Sequence, residues 1–230
     1  MFEIVVYFSL WSLTTGGNQA DTRKLLIYYI LFYGILHNLQ TSRAAAWIGD
    51  DISSGQLNHY LTKPINFPLV QVIRTSVILI IRVIVPIIII SIGSVIYPYY
   101  LAPANIFSFL LFVLFTSLGL VLWNLLMVII GTLAFWLTEI RSLVTASDLI
   151  FTFLKGAYIP LYLFSDNVKR FISLTPFNYL TAFPIDIYQG LVTPDRVLGG
   201  FFIIGIWISI LTLVSRTLYS AGIRRYEAYG

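Results

Sequence analysis

The sequence predicts an all-α, polytopic integral membrane protein: one permease domain over residues 1–230, with about six transmembrane helices. Three observations support this prediction. Only 10% of the residues are charged, whereas a soluble domain carries about 25%. Hydrophobic residues make up 58% of the chain. The runs 83–100 and 101–138 contain no charged residue, and a helix needs roughly 20 apolar residues to cross a bilayer, so segment length favours a membrane over an unusually large soluble core.

The composition also argues against several kinds of site. The chain has no cysteine, which excludes a disulfide framework and the usual cysteine-rich metal sites. His37 and His59 have no obvious ligand partners, so we expect no metal. The formal charge of +4 is modest and indicates membrane orientation rather than nucleic-acid binding. The first residues include an acid and no basic region, so we expect no cleavable signal peptide.

The first two helices are predicted over about residues 1–15 and 25–46. The first is short for a crossing, and we expect a helix with little N-terminal extension; the alternative is the remnant of a longer helix that starts upstream. Its end is marked by Gly16 and Gly17. The second helix is aromatic early and polar late. The early aromatic residues suit an interface belt, and the late polar residues suit a face buried against other helices.

The third helix is predicted over about 75–97 and the fourth over 105–138, joined by a turn at 97–105. Pro86 is expected to kink the third helix. Arg82 either snorkels to the headgroups or forms a buried pair with an acid on another helix. No turn signal divides the fourth segment, so we expect one long helix, tilted or bent near Gly119 or Gly131.

The fifth helix is predicted over 142–160 and the sixth over 199–218. Asp148 and Lys155 lie about 10.5 Å apart along the fifth helix axis, on nearly one face, so they cannot bridge each other directly. They either line a translocation path or lie near opposite headgroup layers. Between these helices the outer segment, residues 160–198, is broken by prolines. We expect short re-entrant or interfacial helices there that either gate release or cover helix ends.

The distribution of basic residues predicts the orientation. Six crossings place both termini on one side, together with residues 48–65 and 138–142. That side carries seven Lys and Arg residues and the opposite side five: Arg43, Lys63, Arg74, Arg141, Arg216, Arg224 and Arg225 against Arg23, Lys24, Lys169, Arg170 and Arg196. The positive-inside rule therefore predicts that both termini are cytoplasmic.

The stretch IGDDISSGQLNHYLTKPI, residues 48–65, resembles a segment of ABC-2-type ABC transporter permeases between helices two and three. The residues that match the family's pattern there are Asp51, Ile52, Gly55, Leu57, Tyr60, Leu61, Lys63 and Pro64. Two later segments also resemble the family, after helix five and in the outer segment, through Gly156, Pro160, Leu161, Pro176, Phe177, Tyr179, Phe183, Pro184 and Gly190. The resemblance covers about residues 45–230, including the tail RRYEAYG. In this chain the N-terminal segment is shorter than usual, and Ser165 replaces a common proline.

This resemblance implies a non-catalytic permease subunit of an ATP-driven transporter, most often an exporter, in a cell membrane such as the bacterial inner membrane. It implies a second permease, identical or paralogous, and separate ABC ATPase subunits that bind ATP and Mg. The chain itself has no phosphate-binding G-x-x-x-x-G-K-[ST] loop, and we expect it to bind no cofactor. The substrate is not apparent.

Residues 48–65, the coupling segment, are the predicted contact with the ATPase. Asp50 and Asp51 are expected to hold charge in water. Asp51, Ser53 or Ser54 is expected to cap a short helix that ends before Pro64. Leu57, Tyr60 and Leu61 then fall on one face, the pattern of a helix that docks in a groove. The alternative is an ordinary solvated loop.

Two other functions compete. A secondary transporter or channel needs an internal repeat or a relay of ionisable residues; we find no convincing repeat, and Arg82, Asp148 and Lys155 form a sparse relay. A membrane enzyme needs clustered His, Asp or Glu, and the acids here are dispersed.

Overall fold

The computed structural model describes residues 2–13, 18–61, 67, 70–71, 73–74, 88, 91–159 and 164–226, and the regular elements in these ranges are all helical. We number the main helices α1 (Phe2–Ser12), α2 (Gln19–Leu31), α3 (Arg43–Ser53), α4 (Leu57–Leu61), α5 (Pro98–Leu101), α6 (Ile106–Thr132), α7 (Ile140–Leu154), α8 (Asp166–Ser173), α9 (Pro176–Leu180), α10 (Ala182–Tyr188) and α11 (Pro194–Arg225). A π-helical turn (Phe32–Leu36) and three residues (His37–Leu39) extend α2, and a 3-10 turn (Leu133–Phe135) follows α6.

The centre of the fold is a pair of long helices, α6 and α11, that run in the same direction. Phe115 packs on Phe201 with ring centroids 4.5 Å apart near the start of both helices. Phe135 contacts Gly222 and lies 6.1 Å from the Tyr219 ring near the ends of both. In the described part of the chain, two segments, Ile106–Phe135 and Pro194–Arg225, are long and apolar enough to cross a membrane. We name the two ends of this pair the Asn105 end and the Phe135 end.

The predicted second helix is interrupted. The helical run that begins with α2 ends at Leu39, Gln40 adopts φ −86° and ψ 70°, and α3 begins at Arg43. Contacts with other segments stabilise the break: the Gln40 amide donates to the Leu180 carbonyl at 2.6 Å, and the Thr41 carbonyl accepts from the Trp123 indole at 2.9 Å. The polar residues late in the predicted helix therefore end it rather than form a buried helical face.

Helix α3 packs across the Phe135 end because two glycines allow a close approach. A Cβ on Gly131 would lie 2.7 Å from the Ile48 Cβ, and one on Gly49 would lie 2.6 Å from an Ile140 methyl carbon. Helix α6 is continuous through both Gly119 and Gly131. These two glycines, where the sequence predicted a tilt or bend, are places where other segments approach α6 closely.

The segment between α7 and α11 reaches the middle of α6 and returns. A Cβ on Gly119 would lie 2.8 Å from the Tyr179 carbonyl oxygen, which places α9 near the middle of α6. At the end of α10, Tyr188 packs on Phe112 with centroids 5.3 Å apart, and its hydroxyl donates to the Leu101 carbonyl at 2.6 Å. Helices α9 and α10 therefore lie against α6 rather than on the surface of the protein.

Other element bounds differ from the sequence prediction. Helix α6 ends at Thr132 and α7 at Leu154, earlier than predicted, while α11 extends beyond 199–218 at both ends. Most of the predicted third helix, with Arg82 and Pro86, lies outside the described residues, as do Lys63, Pro64 and Pro160.

Candidate functional site

The Phe135 end brings together the three segments that the sequence places in the cytoplasm. The Arg141 guanidinium, at the start of α7, forms a salt bridge with the Asp50 carboxylate of α3 at 3.1 Å. The Tyr219 ring of α11 stacks on Phe67 with centroids 5.9 Å apart, and Tyr60 of α4 lies 5.0 Å from the same ring. The coupling segment is thus packed against both α7 and the C-terminal helix.

Asp51 is not the solvated charge that the sequence suggested. It is 7% exposed, and its carboxylate accepts a hydrogen bond from the Gln71 amide at 2.7 Å. Burial raises the pKa of the Asp51 carboxyl, and the Gln71 hydrogen bond partly opposes that shift. Asp50, by contrast, is half-buried at the surface, where it reaches Arg141. The two adjacent acids therefore have different environments.

The apolar face of the coupling segment points into this chain. Leu57 is fully buried and Ile52 is 4% exposed, and both belong to the core around α6. Tyr60 packs partly buried against that core, and Leu61 is the last residue of α4. Of the residues that we expected to enter a partner's groove, Leu57 and Tyr60 thus pack on this chain itself.

The opposite side of the segment is exposed and polar. Gly55, with φ +79°, forms the turn between α3 and α4, a conformation that glycine adopts readily. The exposed residues around this turn, which we name the coupling face, are Ser53, Ser54, Gln56, Asn58 and His59. This exposed polar face lies opposite the buried Leu57 and Ile52.

Lys155 lies at the C-terminal end of α7 and is completely buried. Its ammonium nitrogen is 4.1 Å from the centroid of the Trp123 ring, near the middle of α6, and it has no hydrogen-bond acceptor among the described residues. Asp148 is half-buried about two turns before Lys155 on α7, and no salt bridge joins the two in the described part of the chain. The placement beside Trp123 is far from either end of α6.

Three tyrosines, two in α2 and one in the π-helical turn that follows it, form hydrogen bonds with the backbone around Lys155. The hydroxyls of Tyr28, Tyr29 and Tyr33 donate to the carbonyls of Gly156, Tyr158 and Ala157 at 3.0, 3.4 and 3.4 Å. Gly156 itself has φ +82°, which lets the chain turn away from α7. From the sequence we expected these aromatic residues to lie in the membrane–water interface, but the tyrosines are buried inside the protein. Their clustering in sequence was visible, but their hydrogen-bond partners, which lie about 125 residues later, were not.

The remaining predicted site residues of the outer segment that the structure describes lie in or just after α9 and α10. Pro176 is buried in the first turn of α9, and Phe177 packs on Phe151 with centroids 5.3 Å apart. Pro184 is buried within α10. Gly190, with φ +72°, is exposed just after α10. Among the described residues, no group of three or more His, Cys, Asp or Glu side chains is placed to hold a metal ion.

Comparison with known families identifies the chain at the level of family. The family model described as "ABC-2 family transporter protein" matches residues 2–230. A comparison with curated proteins gives no match. The family match covers nearly the whole chain and confirms the family that the sequence resembles. This chain therefore belongs to the ABC-2 family of transporter proteins.

Proposed function

We propose that this permease is the transmembrane subunit of an ATP-driven exporter, works as a pair with a second permease, and is driven by separate ABC ATPase subunits. Membership of the ABC-2 transporter family supports the transport role. The ATPase binds the coupling face, and ATP and Mg bind to the ATPase. The energy of hydrolysis enters this chain only as movement of α3 and α4.

The observation that carries the proposal is the position of α7. Its first turn is held against α3 by the Asp50–Arg141 salt bridge and by the close contact of Ile140 with Gly49. Its last turn holds the buried Lys155 beside Trp123. A displacement of the coupling segment therefore changes the position of a buried charge near the middle of α6, through one continuous helix.

The mechanism that fits this geometry is alternating access. Closure of the ATPases moves α3 and α4, and α7 moves with them. The turn after Lys155 then shifts against Tyr28, Tyr29 and Tyr33. Movement of packed helices against each other is a common way to switch between two states. In this mechanism Lys155 lines the translocation path in one of those states, and Asp148 lies on the same helix nearer the coupling segment.

The test is affinity purification of the tagged chain from its native membrane in a mild detergent, followed by identification of co-purifying chains. We expect an ABC ATPase and a second permease. Replacing Gln56 and Asn58, both exposed on the coupling face, by arginine is expected to lower ATPase recovery about tenfold, the effect of about 1.4 kcal/mol of lost binding free energy.

The control is Asn167→Arg, an exposed position on α8. It adds one positive charge where the coupling-face variant adds two, and it leaves the coupling face unchanged, so ATPase recovery is expected to stay at the wild-type level. Equal recovery from the coupling-face variant and the control contradicts this docking site. Gradient-driven flux in vesicles without ATP contradicts the proposed energy source and favours a secondary transporter or channel.

A further inference from the structure

A second candidate site lies between α8, α10 and the start of α11. Residues of these helices line a cavity of about 760 Å³ that is open on one side to the surroundings of the protein. It is separate from Lys155 and from the coupling face, and it is large enough to hold part of an amphiphilic molecule. Cavities of roughly 300–1,000 Å³ with apolar walls and a few polar groups are typical of ligand sites.

The charged residues of this cavity come in equal numbers of each sign. They are Lys169, Arg170 and Arg196, and Asp166, Asp186 and Asp195. Lys169 is already paired with Asp166 at 3.5 Å. Within the described ranges neither Arg170 nor Arg196 forms a salt bridge. The guanidinium groups of Arg170 and Arg196 can therefore contact an anion, although Arg196 also interacts electrostatically with the Asp186 carboxyl.

Apolar side chains form part of the cavity wall. Phe183, Leu191 and Ile203 line it. Gly199 also lines it, and a Cβ built there meets no atom within 4 Å, so the absence of a side chain leaves this space open. Gly200 beside it allows the Phe183 ring to approach α11, because a Cβ there would lie 2.6 Å from the ring.

The surroundings of the cavity point to lipid. Phe171 on α8 is 72% exposed, and Phe202 on α11 is 74% exposed. Large apolar side chains that are exposed on the surface of a membrane protein are more stable in contact with acyl chains than with water. The cavity therefore opens beside apolar surface at the Asn105 end of a helix that is long enough to cross the bilayer.

We propose that this cavity binds a zwitterionic phospholipid, with the phosphate on Arg170 and Arg196, the ammonium group at Asp186, and an acyl chain along Phe183 and Ile203. Guanidinium groups bind phosphate through directional, charge-assisted hydrogen bonds. A carboxylate close to them favours a headgroup that carries a positive charge as well, over one that is only anionic. This proposal does not depend on ATP-driven transport.

The test is native mass spectrometry of the purified full chain with added dioleoylphosphatidylethanolamine. We expect retention of the lipid by the wild type and a loss of affinity of about tenfold in Arg170→Gln/Arg196→Gln, the effect of removing charge-assisted hydrogen bonds. Gly199→Leu places a side chain in the cavity and is expected to abolish retention. Gly205→Leu is the matched control, because Gly205 also has open space around its Cβ, does not line the cavity and lies on the same helix.

Two further ligands test which part of the lipid the cavity recognises. Dioleoylphosphatidylglycerol, which lacks the ammonium group, is expected to bind more weakly than the ethanolamine lipid, and equal binding overturns the role of Asp186. Soluble phosphoethanolamine is expected to compete poorly, and competition at equal concentration overturns the lipid assignment in favour of a free solute. Equal lipid retention by Gly199→Leu and Gly205→Leu overturns the site itself. Size-exclusion profiles confirm that each variant is folded, and no ATPase is needed for any measurement.

Discussion

At the scale of single residues, the structure separates charged groups that look alike in the sequence. Asp50 and Asp51 are neighbours, yet only Asp51 is buried. Asp148 and Lys155 share a helix face, yet only Lys155 is fully buried. The sequence identifies all four as unusual because charges are rare in this chain. It does not give their burial, which depends on partners such as Gln71 and Trp123 at distant positions.

Replacing Asp51 by asparagine is expected to maintain or raise the melting temperature. The amide oxygen of asparagine still accepts the Gln71 hydrogen bond, and no ionised group is buried. Because the pKa of the Asp51 carboxyl is raised above its ordinary value of 3.8, the folded state favours the protonated acid. Its contribution to stability is present below that value and is lost as the pH rises through the raised pKa.

The measurement is the melting temperature of both proteins in detergent between about pH 4 and about pH 7. The variant's advantage is expected to grow as the pH rises. Asp166→Asn, at a largely exposed position on α8, is the control and is expected to show no such trend. A constant difference across the pH range contradicts the burial of an ionisable Asp51.

Lys155→Met is expected to stabilise the protein and to impair its function. Desolvation of a buried ion costs on the order of several kcal/mol, whereas a cation–π contact returns about 2 kcal/mol. The Nζ atom gains no hydrogen bond in the described part of the chain. We expect a melting temperature several degrees higher and a lower permease-stimulated ATPase rate in the reconstituted complex.

Lys169→Met removes a charge from a surface pair and serves as the comparison. Little change in either quantity is expected there. A lower melting temperature for Lys155→Met, with an unchanged ATPase rate, assigns Lys155 a structural role and contradicts its place in the path.

At the scale of elements, hydrophobic patterning predicts the long apolar helices well. Helix α6 begins within one residue of its predicted start because Asn105 caps it, with its side chain accepting from the Ser108 amide at 2.7 Å. The interruption after Leu39 was not predictable, because the contacts that stabilise it come from Trp123 and Leu180. Leu57 and Tyr60 of α4, which were predicted to dock in a partner's groove, pack on this chain itself.

Gly131→Leu is expected to separate α3 from α6. A Cβ at this position would lie 2.7 Å from the Ile48 Cβ and 2.9 Å from the Ala45 carbonyl oxygen. Because one of these neighbours is backbone, α3 must move, and overpacking of this kind costs about 1–3 kcal/mol. Thermal unfolding in detergent measures the loss. Gly205→Leu is expected to be tolerated, and an equal loss in both variants contradicts the close packing at Gly131.

The Asp50–Arg141 salt bridge is expected to matter for coupling more than for stability. Its side chains are 42% and 74% exposed, and exposed pairs contribute about 0–1 kcal/mol. Asp50→Arg and Arg141→Asp are therefore each expected to change the melting temperature little and to lower the ATPase rate of the complex. The double variant restores opposite charges and is expected to recover the rate. Failure of that recovery shows that the two residues act independently.

At the scale of the whole molecule, the structure groups segments by the side predicted for them. Residues of α3, α4, the start of α7 and the end of α11 meet at the Phe135 end, while the end of α5 meets α10 at the other end. The sequence assigned these groups from the order of the predicted crossings, and the loop charges predicted only which group is cytoplasmic. The segment between α7 and α11 shows the limit of that approach, because its short helices have too little periodicity to reveal their return along α6.

Single cysteines can test the orientation, since the chain contains none of its own. Gln56→Cys lies on the coupling face and Asn167→Cys on α8, and both positions are exposed. A membrane-impermeant maleimide applied to intact cells is expected to label Asn167→Cys. It is expected to label Gln56→Cys only after the membrane is permeabilised. The reverse pattern inverts the proposed topology and places the coupling face away from any cytoplasmic ATPase.

The π-helical turn at Phe32–Leu36 sets the rotation of Tyr28 and Tyr29 relative to Gln40. A π-helical turn closes its hydrogen bonds at i→i+5 and therefore holds one residue more than an α-helical turn. This extra residue lets the Tyr28 and Tyr29 hydroxyls reach the carbonyls that follow Lys155 while the Gln40 amide reaches Leu180. An α-helix advances about 100° per residue, so a residue inserted between Tyr29 and Phe32, in the regular part of the helix, would rotate both tyrosines by roughly a quarter of a circle away from those carbonyls.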